Sequence, residues 1–270
     1  MVGLIAGSAL WLTSGLSGSS APGLGRAGAA LLVWICYVAV LTMIVVGLAR
    51  SVRPSGWDVV LAALWGGLAA AALSQLLALA TRDAIASALG PSGQAWTSAL
   101  AAPLPEEIFK AVGVLLILAA RPDSRSPLCG MVLGAIVGIA FNGAEGLAFS
   151  FAEIVKSASL EPLWSDLLVR GLLTGLVTHA GLTAIVGAGI GYLFAPEGRS
   201  GLRQIGVFAA LLSVAVALHA LIDSPLLDDW GIGGVVVKEV PVAVAVWFVG
   251  GRSRSEHVRI QRLRRHSTRN

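Results

Sequence analysis

The sequence predicts an all-α, polytopic membrane protein, a bundle of seven or eight transmembrane helices. Three observations carry that expectation. Of the 270 residues, 56% are hydrophobic and only 13% charged, where a soluble domain carries about 25% charged residues. Mean hydropathy is +0.82. Apolar runs of the roughly 20 residues needed to cross about 30 Å of hydrocarbon recur along the whole chain.

The first run, Val2–Leu16, is weak and dissolves into the Gly/Ser-rich stretch Ser17–Gly28. It reads as an eighth span or as an interfacial helix. Seven stronger runs follow: Ala29–Ala49, Trp57–Ala80, Trp96–Ala120, Leu128–Phe151, Leu167–Phe194, Ile205–Ile222 and Ile232–Val249. The last contains Lys238 and Glu239 followed by Pro241, so a kink or a late start is expected there. The chain thus divides into an N-terminal apolar segment and linker (1–28), a transmembrane domain (29–250) and a basic tail (251–270). Cys36 and Cys129 are far apart and form no C-x-x-C, which argues against cysteine chemistry. No basic region precedes the first apolar run, so a cleaved signal peptide is not expected.

The loops predict orientation. Arg50 and Arg53 share one loop, Arg121 and Arg125 a second, and Arg199 and Arg203 a third. The tail carries Arg252, Arg254, Arg259, Arg262, Arg264, Arg265 and Arg269. With strict alternation all of these fall on one side, which the positive-inside rule makes cytoplasmic. The opposite loops hold Asp83, Glu153, Glu161, Asp166, Asp228 and Asp229. A multi-pass protein of the plasma membrane with a cytoplasmic C-terminus is the expectation. Topology and anionic-lipid binding account for the arginine tail, and no nucleic-acid partner is implied.

Against this apolar background seven ionisable residues stand out: Glu106, Glu107, Lys110, Glu145, His179, His219 and Asp223. A charge at mid-bilayer costs about 2.5–3.5 kcal/mol on the insertion scale, so such groups mark function or pair with one another. At about 1.5 Å of rise per residue they converge on the middle-to-outer part of the membrane. Glu106 and Lys110 are i,i+4 and share a helix face, which also reads as a neutralising pair; Glu107 lies about 100° round and is left over. Pro105 loosens the backbone beside them. Gly134 and Gly138 suggest close helix packing. Glu145 has no basic neighbour within a turn, so its partner lies on another span, with His179 and His219 the candidates. His219 and Asp223 are i,i+4, a spacing at which a carboxylate orients an imidazole.

The ordered set Glu106-Glu107-x-x-Lys110, Phe141-x-x-x-Glu145, a span bearing His179, and His219-Ala-Leu-Ile-Asp223 resembles the motif series of the PrsW family of intramembrane proteases. That family is grouped with CAAX prenyl endopeptidases and bacteriocin-processing enzymes. Gly146 stands where the family often has Asn, and Asn142, one turn back, is the candidate for that amide. The resemblance implies hydrolysis of peptide bonds in single-span membrane proteins or peptides, anti-sigma factors among them. In this reading Glu106 or Glu107 activates water, Lys110 tunes their charge, and Glu145 orients an imidazole or a water. His179 and His219 hold water or stabilise the oxyanion, and Asp223 orients His219. No cofactor is required. Zn²⁺ is the alternative, with ligands drawn from Glu106, Glu107, Glu145, His179 and His219. The competing function is a proton- or cation-coupled transporter, since buried Glu, Lys and His also build proton relays.

Overall fold

The computed structural model describes residues 21–52, 54–175, 177–195 and 200–267, and among these every regular element is helical. Helix α1 spans Ala21–Leu48. Its start lies inside the stretch expected to be linker, because Ala27 and Ala30 pack inward and extend the helix by two turns. The run Val2–Leu16 lies outside the described residues. Helix α2, Gly56–Leu89, opens on a capping box in which Ser55 Oγ accepts from Asp58 N and Asp58 Oδ2 accepts from Ser55 N. It widens to a π turn over Trp65–Ala70 and stops at Gly90, whose φ of 68° favours glycine.

The expected span Trp96–Ala120 is two helices, α3 (Thr97–Ala101) and α4 (Pro103–Ala120), with Ala102 between them. Prolines at 103 and 105 cause the break, since neither donates a backbone N–H and each restricts the residue before it. Helix α5 (Pro127–Ser157) starts at the Ser126 cap and ends at left-handed Ala158. The next expected span is also interrupted. Helix α6 (Glu161–Asp166) becomes a π turn over Leu167–Gly175, and α7 begins afresh at Thr178 and runs to Leu193. Helix α8 is Gly201–Ile222. Helix α9, Ile232–Ser267, passes through Pro241 and through the tail boundary expected at 250/251 without ending.

Six of the described helices are long and apolar enough to cross a membrane: Gly25–Leu48, Gly56–Leu89, Pro127–Ser157, Glu161–Leu193, Gly201–Ile222 and Ile232–Leu263. Helix α4 is not among them, because its 18 residues include Glu106, Glu107 and Lys110. It nevertheless returns to the end where α2 began: Arg121 Nε lies 2.9 Å from Asp58 Oδ1. At that same end His257 of α9 contacts Ser126 Oγ at 3.0 Å and Ser51 O at 3.2 Å. The loops around Ser51, Arg121 and Ser126 and the tail helix therefore share one end of the bundle.

Helices α5 and α7 form the buried axis, while α1, α8 and α9 expose large apolar side chains such as Leu32, Met43, Leu202 and Trp247, as a lipid-facing surface requires. The α5–α7 contact is unusually close. A Cβ added at Gly130, Gly134 or Gly138 would lie 2.0, 2.2 or 2.1 Å from the backbone oxygen of Gly187, Thr183 or His179, respectively. The small-residue stripe lets the two backbones meet, as its sequence spacing anticipated. Trp65 of α2 seats α4 in the same manner, covering Gly113 and donating its indole N–H to Phe109 O at 2.8 Å.

Candidate active site

All seven ionisable residues singled out above meet in one cluster. The first turns of α4 carry Glu106, Glu107 and Lys110, all buried, with Glu107 and the Lys110 side chain fully inaccessible. Lys110 Nζ donates to Glu107 Oε1 at 2.8 Å and to Glu106 Oε2 at 3.2 Å. One ammonium thus serves both carboxylates, so Glu107 is not left over after all. The same Nζ lies 3.0 Å from His179 Nδ1 and 4.0 Å from the centre of the Phe141 ring, a cation–π contact.

That contact sets the tautomer of His179. Lysine ammonium has only donors, so His179 Nδ1 must accept and Nε2 carries the hydrogen. Nε2 faces Glu145 Oε2 at 3.0 Å, giving Glu145 its interhelical partner from α7. His219 Nδ1 faces Glu107 Oε1 at 3.0 Å, while its Nε2 is 3.7 Å from Glu106 Oε2 and 3.7 Å from Asp223 Oδ2. The carboxylate in hydrogen-bond reach of His219 is therefore Glu107 from α4, and the i,i+4 residue Asp223 stands farther off. The two imidazoles are edge-to-face, with centroids 5.2 Å apart.

Glu106, His179 and His219 each turn one donor atom toward a common point, these atoms lying within 4.8 Å of one another. Of the five ligand candidates, Glu107 and Glu145 sit instead behind the histidines, on their other nitrogens. Carboxylates in that position orient metal-bound imidazoles in many sites, so the donor chemistry fits Zn²⁺. Lys110 competes for it, since its ammonium occupies the lone pair of His179 Nδ1 and one oxygen of Glu106.

A cavity of about 470 Å³ adjoins the cluster, lined by Glu145, His179, His219 and Asp223 and reaching Asp166, Arg170, Asp228 and Lys238 near the opposite end from the arginine loops. At Gly175 the chain passes close to its neighbours, since a Cβ there would lie 2.1 Å from Asn142 Nδ2 and 2.3 Å from Arg170 O. The Asn142 amide, the candidate for the missing motif Asn, goes elsewhere: it donates to Tyr37 Oη at 2.9 Å and Arg170 O at 3.3 Å.

Two buried residues near the cluster were seen in the sequence without a role. Glu239 accepts a short hydrogen bond from Thr178 Oγ1, and Lys238 donates to Ser224 O at 2.6 Å. Tyr37, which donates to Gly171 O at 2.8 Å, carries no sequence signal beyond being aromatic.

Fold and site together define a multi-pass helical membrane protein with a buried carboxylate–lysine–histidine centre open to a polar cavity. A family profile described as PrsW family intramembrane metalloprotease matches residues 54–250, and the chain belongs to that family. It is an intramembrane protease, not the transporter the buried charges also suggested. Neither a curated protein nor a solved structure matches the chain significantly.

Proposed function

We propose that this protein is an endopeptidase that cuts single-span membrane-anchored proteins or peptides near the extracytoplasmic side, anti-sigma factors being the substrate class the family resemblance implies. The observation that carries the reading is the placement of Glu106 Oε2, 3.7 Å from His219 Nε2 and 4.0 Å from His179 Nδ1, beside a polar cavity. Lys110 Nζ bridges Glu106 Oε2 and His179 Nδ1, whereas the separation from His219 Nε2 exceeds a direct hydrogen bond and suits a bound water. Glu106 takes a proton from that water as its oxygen attacks the scissile carbonyl carbon. His219, as the imidazolium, donates Nδ1–H to Glu107 and Nε2–H toward the developing oxyanion, and Lys110 offsets the charge of both glutamates. Glu106 then returns the proton to the leaving amine. Glu145 holds the His179 ring, and Asp223 adds negative charge beside His219.

A second reading has one observation in its favour, the convergence of Glu106, His179 and His219 with a carboxylate behind each imidazole. These three would hold a Zn²⁺, which lowers the pKa of a bound water toward neutrality. We place the metal-free reading first because Lys110 Nζ already engages His179 Nδ1 and Glu106.

In this reading α3 and α4 cross as a seventh span, and the arginine-rich end with the C-terminus faces the cytoplasm of a plasma membrane. The basic tail meets anionic lipid there. The test is direct. Purified protein in vesicles is incubated with membrane-anchored peptides, and mass spectrometry looks for defined fragments. Fragments from wild type but not from Glu106→Gln support the proposal; wild type that cuts none of a broad peptide set overturns it.

A further inference from the structure

Lys238 and Glu239 are adjacent, buried, and sit in a membrane-spanning helix, where burial of charge demands compensation. Glu239 is bonded to the start of α7 and Lys238 to the end of α8 and the turn that follows it, and both of those helices carry a site histidine. Lys238 Nζ donates to Ile222 O at 3.3 Å and Ser224 O at 2.6 Å, and is 2.9 Å from Asp228 Oδ1. Ile222 is the last residue of α8, three positions beyond His219, and its carbonyl belongs to the group that a helix leaves unpaired at its C-terminus. Glu239 takes the Thr178 hydroxyl. Thr178 is the first residue of α7 and immediately precedes His179; Val177 before it supplies no side-chain cap.

The signs are matched to the helices. A cation sits at the negative end of α8 and an anion at the positive start of α7, each the favourable side of the helix dipole. Reversing the order of the two residues would put the wrong charge at each helix end.

We infer that Lys238–Glu239 is a clamp that positions both histidines, Lys238 acting on His219 through the end of α8 and Glu239 on His179 through Thr178. Neither residue touches the reacting atoms; they are positioning residues. The inference rests on the reading of His179 and His219 as working groups, and it adds a residue pair that the four sequence motifs do not contain. The clamp also explains why α9 keeps two charges in an otherwise apolar run beside Pro241.

The test uses the full-length protein in detergent, labelled with ¹⁵N-histidine, with His179 and His219 assigned from His179→Asn and His219→Asn. The expected pattern is crossed. Glu239→Ala shifts the ring signals of His179 and leaves those of His219, whereas Lys238→Met does the reverse. Thr178→Val, which removes the hydroxyl with little change of shape, reproduces Glu239→Ala. In cleavage assays each of these lowers kcat about ten- to a hundredfold with KM within about twofold, the usual range for groups that orient a site histidine. Glu239→Gln, which keeps an acceptor for Thr178, recovers most of the loss. Both rings shifting alike in both variants, neither ring shifting, or a silent Thr178→Val would overturn the clamp. Should wild type cleave nothing, the proteolytic reading falls, yet the crossed ring signals still decide whether the clamp exists.

Discussion

Gly138→Ala tests the site through its scaffold. The added Cβ would lie 2.1 Å from His179 O and 2.9 Å from Ala180 Cα, where ordinary contact begins near 3.4 Å. The obstructing atoms are backbone, so no side chain can swing aside, and α5 and α7 must separate by more than about 1 Å. Glu145 stands on α5 and His179 on α7, so that displacement carries their 3.0 Å contact beyond hydrogen-bond range. Misplacement of this size at a catalytic group costs about a hundredfold in rate. Overpacking of this kind destabilises by about 1–3 kcal/mol. Stability loss alone would confuse the result, and the stripe itself supplies the control. Gly134→Ala and Gly130→Ala meet Thr183 O at 2.2 Å and Gly187 O at 2.0 Å, clashes of the same size placed about 6 and 12 Å farther along the helix. Peptide cleavage by the three variants, each measured beside its thermal midpoint, should show similar destabilisation but a rate loss that fades from 138 to 134 to 130. Equal rate losses at all three, or full activity for Gly138→Ala, would refute the argument that α5–α7 contact sets the His179 geometry.

Glu107→Gln should lower cleavage by about 10²- to 10⁴-fold while the protein still inserts, since the amide keeps a polar atom near Lys110 and His219 but loses the charge that holds the imidazole; wild-type cleavage by this variant would end the glutamate-centred mechanism. Lys110→Met leaves two buried carboxylates without their cation and should destabilise by about 3–5 kcal/mol, measured by denaturant or thermal unfolding, with an unchanged midpoint refuting the pairing. Asp228→Cys, read by an impermeant thiol reagent, should label from the extracytoplasmic side only; labelling solely from the cytoplasm inverts the topology. Elemental analysis of active protein, with chelator inhibition alongside, should find no stoichiometric zinc; zinc whose removal stops cleavage and whose return restores it would favour the metal reading.

Much of the site was legible because a membrane sequence is a quiet background. Each of Glu106, Glu107, Lys110, Glu145, His179, His219 and Asp223 stands out against apolar neighbours, and the cost of burying a charge makes that contrast a physical signal. Lys238 and Glu239 gave the same signal, yet their task depends on Thr178 and on the carbonyls of Ile222 and Ser224, which carry none. Helix breaks were harder to read. Pro105 marked a weakness, but the break falls at Ala102, and the interruption of the His179 span over Leu167–Gly175 has no proline to announce it.

By itself the sequence determined the membrane class, the all-helical architecture, the family and the identities of the ionisable residues, because hydropathy and residue chemistry are properties of the chain. It also determined the stripe of glycines at 130, 134 and 138 that permits close packing. Tertiary structure alone decided who pairs with whom. Local spacing favoured Asp223 as the partner of His219, at i,i+4, but packing put Glu107 Oε1 3.0 Å from His219 Nδ1 and left Asp223 at 3.7 Å. It likewise gave Lys110 to both glutamates and to His179, and Asn142 to Tyr37. The reason is one of range. Turn-to-turn neighbours follow from the pitch of a single helix, whereas contacts between helices follow from how closely their backbones approach, and that distance is set by atoms far apart in the chain.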